Sequence, residues 1–555
     1  MTVLATPVVL QTHGANMTGL NFDILREICG LLTDVPAVLS FSLSCSTLHP
    51  VAVERRLSMR AITLTSAKSV RDLHNYIFVD EKWRGQHVRA ISIPGYGELP
   101  RSSEELVDRL IAVFESTPRV HALSYCMPTR PQSPFRHRRF LAAVAKMASL
   151  QELDVDAPFG LAVDLLVSNW FHALKTFRYS IMKFVEYKGS FSFLCITPWM
   201  RSTLEEIELS LEFLALAAKE RVLFLAVRSV TLTKVWDFLP LDLLLSVFPN
   251  LDRTLIVKEE VFLVGADWHD HLVTVRAENR EYAQKMRTWK ALDRVVAGPD
   301  MLHSLGFPCP IRHLTLSMLW NDDHECRASA GNAHAVLREH APTHLALVNV
   351  RLPHGFSNLE DLLSPEEAVP RLTHLVLDAA YENSTMPYDP IHGVYGTTNF
   401  SSWDAMLDAL LVGLEALHLT HIRIIVHCQV DLGYAFCAPL YDSAHSFKFD
   451  RLVAALPGIV PSLTHIFITS YGRTYTVDGP REYASRRSTE ERWGMSRGWR
   501  VRRLSHDSGT QGIMHDLEEL RAEDAEAVIN SEEMYATERN KDHTSKTVDR
   551  KAKIG

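Results

Sequence analysis

The apolar positions of this chain recur in one short motif, apolar-x-x-apolar-x-apolar. It stands as VRAISI at residue 88, VHALSY at 120, LQELDV at 150, LKTFRY at 174, LEEIEL at 204 and VRSVTL at 227, then as IRHLTL at 311, LTHLVL at 372, LEALHL at 414 and LTHIFI at 463. PTHLAL at 342 keeps the last two apolar positions, and LDRTLIV at 251 fits with one residue extra. Each copy ends in an alternating segment, the pattern of a strand with one buried face. Between copies the apolar spacing becomes three and four residues, as in SSEELVDRLIAVF from 102, RRFLAAVAKM from 138, LPLDLLLSVF from 239, SSWDAMLDALL from 401 and FDRLVAAL from 449. That spacing predicts amphipathic helices, the first opened by a capping box of Ser102 and Glu105. One helix and one strand cannot bury their own apolar sides, so the pattern predicts stacked units with a shared core. The fold expected is α/β, with parallel strands on a concave side and helices on a convex side. WKALDRVVAGPDMLHSLGF, in the gap between 251 and 311, reads as a degenerate and mostly helical copy.

The N-terminal segment follows another rule. In LNFDILREICGLLTD, from residue 20, Ile24, Leu25, Ile28, Leu31 and Leu32 share one side of a helix while Asp23, Arg26 and Glu27 share the other. Asp34 and Pro36 stand where an N-cap and a first-turn proline belong, and Val38, Leu39, Leu43 and Phe41 give the next helix its apolar side. A third short helix starts around Pro50. Burying a large apolar side chain is worth about 1.5–3 kcal/mol, so these faces call for a partner surface.

Composition narrows the classes. With 555 residues, 46% of them hydrophobic, and a net charge of -8, the chain has ample material for a repeat array and no basic excess for nucleic acid or an acidic membrane surface. No stretch reaches the 18 or so apolar residues of a membrane span, and no basic residue precedes the short apolar run at the start, so a secretory signal is not expected. The eight cysteines are scattered without a C-x-x-C pair, which suits a reducing compartment, cytoplasmic or nuclear.

Over roughly residues 85 to 475 the units resemble leucine-rich repeats in spacing, though no copy carries the Asn or Cys that usually follows the strand. Residues 18 to 57 resemble an F-box, the segment by which a receptor subunit docks onto the small adapter of a cullin-based ubiquitin ligase. Leu20, Asp23, Ile24 and Leu25 match its opening, with Asn21 in place of the usual proline. Ile28, Leu31, Leu32, Val38, Leu39 and Leu43 match the later aliphatic positions, and Cys45 the cysteine that commonly follows, without the aromatic after it. Their order along the chain is similar to that of F-box and leucine-rich-repeat proteins, above all the divergent sets of mushroom-forming fungi. The resemblance implies a substrate-recognition subunit, not itself an enzyme, with an adapter, a cullin scaffold and an unknown protein substrate as partners and no cofactor or metal. Its adapter-binding residues would be Leu20, Phe22, Ile24, Leu25, Ile28, Leu31, Leu32, Val38, Leu39 and Leu43. The domains expected are a disordered start (1–17), the F-box-like segment (18–57), an irregular leucine-rich solenoid (58–475), a basic aromatic segment (476–504) and a charged, partly helical or disordered tail (505–555). Two other readings stand beside this one: residues 20–56 as a cap closing the first repeat of a leucine-rich interaction protein without ligase association, and a metal-dependent hydrolase.

No nucleotide, hydrolase or metalloprotease motif occurs. The ligand-type residues His269 and His271 in ADWHDHLV, and His324 in NDDHEC, would carry the hydrolase reading, but both stretches read as polar connections. His313, His344, His374 and His465 hold one register, just before a core Leu or Ile, so alternation sends them to the opposite, concave face. There they would line a substrate-facing surface with neighbouring rings about 5 Å apart. The segment REYASRRSTEERWGMSRGWRVRR, from 481, reads as arginines stacking on Trp493 and Trp499 and pairing with the acidic tail.

Overall fold

The computed structural model describes residues 21–94, 104–126, 138–156, 173–180, 198–259, 268–286, 288–318, 323–351, 359–363, 369–382, 403–415, 417–431, 444–477, 487–504 and 514–535. They form two compact units, divided between Leu204 and Glu205.

The first unit opens with α1 (Phe22–Leu31), α2 (Val35–Ser44) and α3 (His49–Met59). Asn21 caps α1 by accepting the Asp23 N–H at 3.1 Å, so the residue that stands in place of proline serves as the N-cap. Asp34 caps α2 through the Ala37 N–H, with Pro36 in the first turn. The Arg55 guanidinium, from α3, donates to the Leu32 carbonyl at 2.9 and 3.2 Å and closes the C-terminal end of α1. Cys29, Val38, Val51 and Ala52 make the small core between the three helices.

Next come β1 (Ile62–Thr63), α4 (Ala67–Phe78), α5 (Glu81–Arg84), β2 (Ala90–Ile93), α6 (Glu104–Glu115), β3 (Ala122–Cys126), α7 (Arg138–Ala145), β4 (Glu152–Asp156), β5 (Thr176–Ser180) and α8 (Pro198–Thr203). Strands β1 to β5 pair in chain order, all parallel. Ile91, Ile93, Leu123, Tyr125, Leu153, Val155, Phe177 and Tyr179 are buried on one face, where Tyr125 meets Phe140 of α7 edge-on at 6.2 Å. The other face is polar and half-buried, with Ser124 donating to the Asp154 carboxylate and Cys126 to that of Asp156.

The second unit continues the alternation: β6 (Glu206–Ser210), α9 (Leu211–Lys219), β7 (Ser229–Val235), α10 (Leu241–Val247), β8 (Thr254–Glu259), α11 (Trp268–Lys285), β9 (Leu292–Ala297), α12 (Pro299–Leu305), β10 (Ile311–Ser317), α13 (Asp323–His340), β11 (His344–Arg351), α14 (Leu359–Leu362), β12 (His374–Glu382), α15 (Trp403–Leu414), β13 (His421–Asp431), α16 (Asp450–Ile459) and β14 (His465–Val477). Strands β6 to β14 are parallel neighbours in chain order. Then β15 (Arg487–Leu504) and β16 (Met514–Glu519) turn the edge antiparallel, and α17 (Ala522–Ser531) follows. The architecture is thus mixed α/β, with a repeat-like, mostly parallel sheet in each unit.

Several expectations change. LDRVVA, read as helical, is the full strand β9: Leu292, Val295 and Ala297 are buried, and Gly306 in the left-handed region (φ 56) ends the helix after it. LEALHL at 414 is not the strand of its repeat. It spans the end of α15 and the turn beyond, and the strand begins at His421, inside LTHIRI. The overlapping motif five residues later wins because it aligns His421 with His374 and His465 on both neighbours. ADWHDHLV and NDDHEC feed helices α11 and α13 rather than polar connections. The arginine-rich segment is the strand β15, and the tail adds the strand β16 ahead of its expected helical part, α17. The segment expected to be disordered (1–17), Leu20 and Ser102 lie outside the described residues.

Candidate functional site

Two surfaces collect the residues singled out above. On the first, α3 carries the packing of the N-terminal helices: Val51, Ala52, Val53 and Leu57 are buried, and α3 lies against α5 and the turn at Gly85–His87. Helices α1 and α2 therefore keep an apolar side in solvent. Phe22, Ile24, Ile28 and Leu39 are about two-fifths exposed, and Leu31 and Leu43 are 79% and 85% exposed. Leu25 and Leu32 are half-buried. Val38, expected among the docking residues, is 1% exposed and belongs to the internal core beside Cys29. A cap would have turned these aliphatics inward; here most of them point away from the unit's own core.

The second surface is a ladder of histidines. His313, His344, His374, His421 and His465 stand in register on β10 to β14, with ring centroids 4.0, 4.0, 4.5 and 4.9 Å apart and planes within 23° of parallel. A threonine precedes each of the last four and anchors its Nδ1. Thr343, Thr373, Thr420 and Thr464 each donate their hydroxyl to a carbonyl of the preceding strand. The same hydroxyl lies within hydrogen-bond reach of Nδ1 of the following histidine, at 2.8–3.2 Å. Nε2 is the ring nitrogen left for partners beyond the threonine.

This ladder is not an open surface. Beside it on the same face, Ala346, Val348, Val376, Ile425 and Phe467 pack against Ala525 and Ile529 of α17 and against Met534. Arg423, 1% exposed, donates to the Met534 carbonyl at 2.6 Å, and burial lowers its pKa. Glu533 pairs with His313, Arg294 and Arg312, while Glu532 reaches His374 Nε2 at 3.1 Å. The histidines assigned to cargo thus meet the chain's own C-terminal segment. Burial holds the imidazoles well below their usual range, His313 at about 4 and His344 and His421 at about 3, with neighbouring positive groups adding to the depression. His374 and His465 are lowered for the same first reason.

The other candidates do not converge. His269 and His271 are exposed on α11, where His271 Nε2 lies 3.1 Å from Asp237, and the His324 side chain lies outside the described residues. Trp499 is buried, while Arg497, Arg500 and Arg502 pair with Glu519 and Glu518, as the acidic-tail reading had it. Among the described residues no helix is long and apolar enough to cross a membrane. The sequence reading missed His421, Arg423, Glu532 and Glu533. LTHIRI carries the same register as LTHLVL and LTHIFI, and was the signal for the first two.

No family model and no curated protein matches the chain. Among solved structures it is similar to a protein of Bacteroides fragilis at 10% identity, over 59% of this chain and 69% of that one, with a TM-score of 0.24.

Proposed function

We propose that this chain is a non-enzymatic receptor, an F-box-like protein whose α1 and α2 dock on the adapter of a cullin-based ubiquitin ligase while a leucine-rich-like solenoid holds a protein substrate. What supports the reading is the aliphatic side of α1 and α2: Ile24, Ile28, Leu31, Leu39 and Leu43 stay exposed although a third helix beside them is packed. Each such side chain taken from water by a partner contributes up to about 1.5–3 kcal/mol, so several together suffice for a stable dock. The chain would act by proximity, holding a substrate lysine close to the conjugating enzyme.

The cargo surface moves with the ladder. Since the strand face of β11 to β14 is covered by α17, the polar strand face of β2 to β5, with Ser92, Ser124, Asp154 and Arg178, becomes the surface assigned to substrate in the first unit. The test is co-purification of the full chain with the adapter. Ile24→Asp with Leu43→Asp is expected to abolish it with the thermal midpoint unchanged, because charges enter a dry aliphatic interface only at high cost. Retained binding in that double variant would sink the reading.

A further inference from the structure

We propose that His374, His421 and Glu532 form a binding site for a divalent transition-metal ion of the zinc class, which clamps the turn after α17 onto the histidine ladder. One ligand atom from each, two imidazole nitrogens and a carboxylate oxygen, lies within 4.8 Å of the other two.

The first argument is one of unmatched acceptors. The Thr373 and Thr420 hydroxyls each lie within reach of a carbonyl of the preceding strand and of Nδ1 of the following histidine, so they can give their proton to the carbonyl and take the Nδ1–H. In that tautomer His374 Nε2 presents a lone pair to a carboxylate oxygen 3.1 Å away. Two acceptors at that distance repel unless a cation stands between them. A metal ion suits the same arrangement: ligating histidines characteristically donate their other ring N–H to a fixed acceptor, and both threonine hydroxyls already fill that role.

The second argument is charge. The neighbouring Glu533 is neutralised by Arg294 and Arg312, whereas among the described residues Glu532 faces the His374 imidazole and pairs with no arginine or lysine. A divalent ion would supply what Glu532 lacks. The rings of His374 and His421 are nearly parallel, 6° apart with centroids at 4.5 Å. A modest tilt and an inward shift of Glu532 would bring the three donors to about 3.3 Å from one another, as metal distances of about 2.0–2.1 Å require. His465 Nδ1, 3.1 Å from His421 Nε2 and 3.2 Å from Thr464 Oγ1, has one proton for two acceptors and can keep it on the threonine. Two histidines, a carboxylate and one solvent position make a tetrahedral set for zinc or cobalt(II).

The experiment is titration of the metal-stripped, tag-free full chain with cobalt(II). We expect one ion per chain with the intense absorption of tetrahedral cobalt, displaced by zinc, and a zinc-dependent rise in thermal midpoint. Glu532→Gln and His421→Gln should each weaken binding by about 10- to 100-fold, while His269→Gln with His271→Gln should leave it unchanged. The proposal is overturned by a folded chain that gives only the weak octahedral spectrum, or by tetrahedral binding that survives either substitution. Glu532 sits on a half-exposed turn, so its variant folds and remains decisive if His421→Gln does not.

Discussion

Strands β2 to β5 and strands β11 to β14 are built from the same repeat, yet their second faces differ. In the first set the residues between core positions include Ser92, Ser124, Glu152, Asp154 and Arg178, and they remain at least partly in water. In the second the equivalent positions include Val376, Ile425 and Phe467, at 4, 1 and 0% exposed, and α17 lies on them. Strands apolar on one face are complete with one layer of helices; strands apolar on both need a second layer. The number of layers is thus written in the between-core positions, not in the repeat motif.

Substitutions can break that contrast. The largest effect is expected at Phe467→Ala, which should cost about 3–5 kcal/mol in denaturant unfolding, whereas Ser124→Ala on β3 should cost less than about 1 kcal/mol. Ile529→Asp puts a charge under α17 and should cost about 2–4 kcal/mol, limited because the helix can lift off. Faster hydrogen exchange over 522–535 with β2 to β5 unchanged would report that lifting, and equal exchange in both regions would contradict it.

Acid should act on the same region. Imidazoles whose folded pKa lies at about 3 or 4 are protonated first in the unfolded chain, near 6.5. The unfolded state then binds more protons, so their contribution is fully present above pH ~6.5 and is lost as pH falls toward about 4. The thermal midpoint of the metal-stripped chain should drop across that window, and His344→Gln should flatten the slope. The smallest effect on stability, within about 0.5 kcal/mol, is expected for Leu31→Ser with Leu43→Ser, which should nevertheless weaken adapter co-purification. A clear loss of stability there would mean these leucines serve the fold.

Much of this architecture was legible. Period-two alternation marked β2 to β8, β10 to β12 and β14, because a half-buried strand needs nothing else to declare itself. The caps Asp34 and Pro36 marked α2. Strand β9 escaped because Asp293 and Arg294 interrupt its apolar run, and β13 because LEALHL satisfies the motif as well as LTHIRI does. The choice between those two is made by pairing with β12 and β14, which is tertiary. The exposed side of α1 and α2 followed from helical spacing; the burial of Val38 did not, since it depends on where Val51 and Ala52 arrive. The cover over the ladder joins residues more than a hundred positions apart, such as Arg423 and Met534. Only the double-sided greasiness of β11 to β14 hinted that something would lie there.

The order of synthesis gives this cover a kinetic meaning. The nascent chain releases β11 to β14 before it releases α17, so a sticky strand face waits on the ribosome for its lid for seconds at ordinary elongation rates. Chaperone traffic should therefore concentrate on the late intermediate that has every strand and lacks only the closing helix.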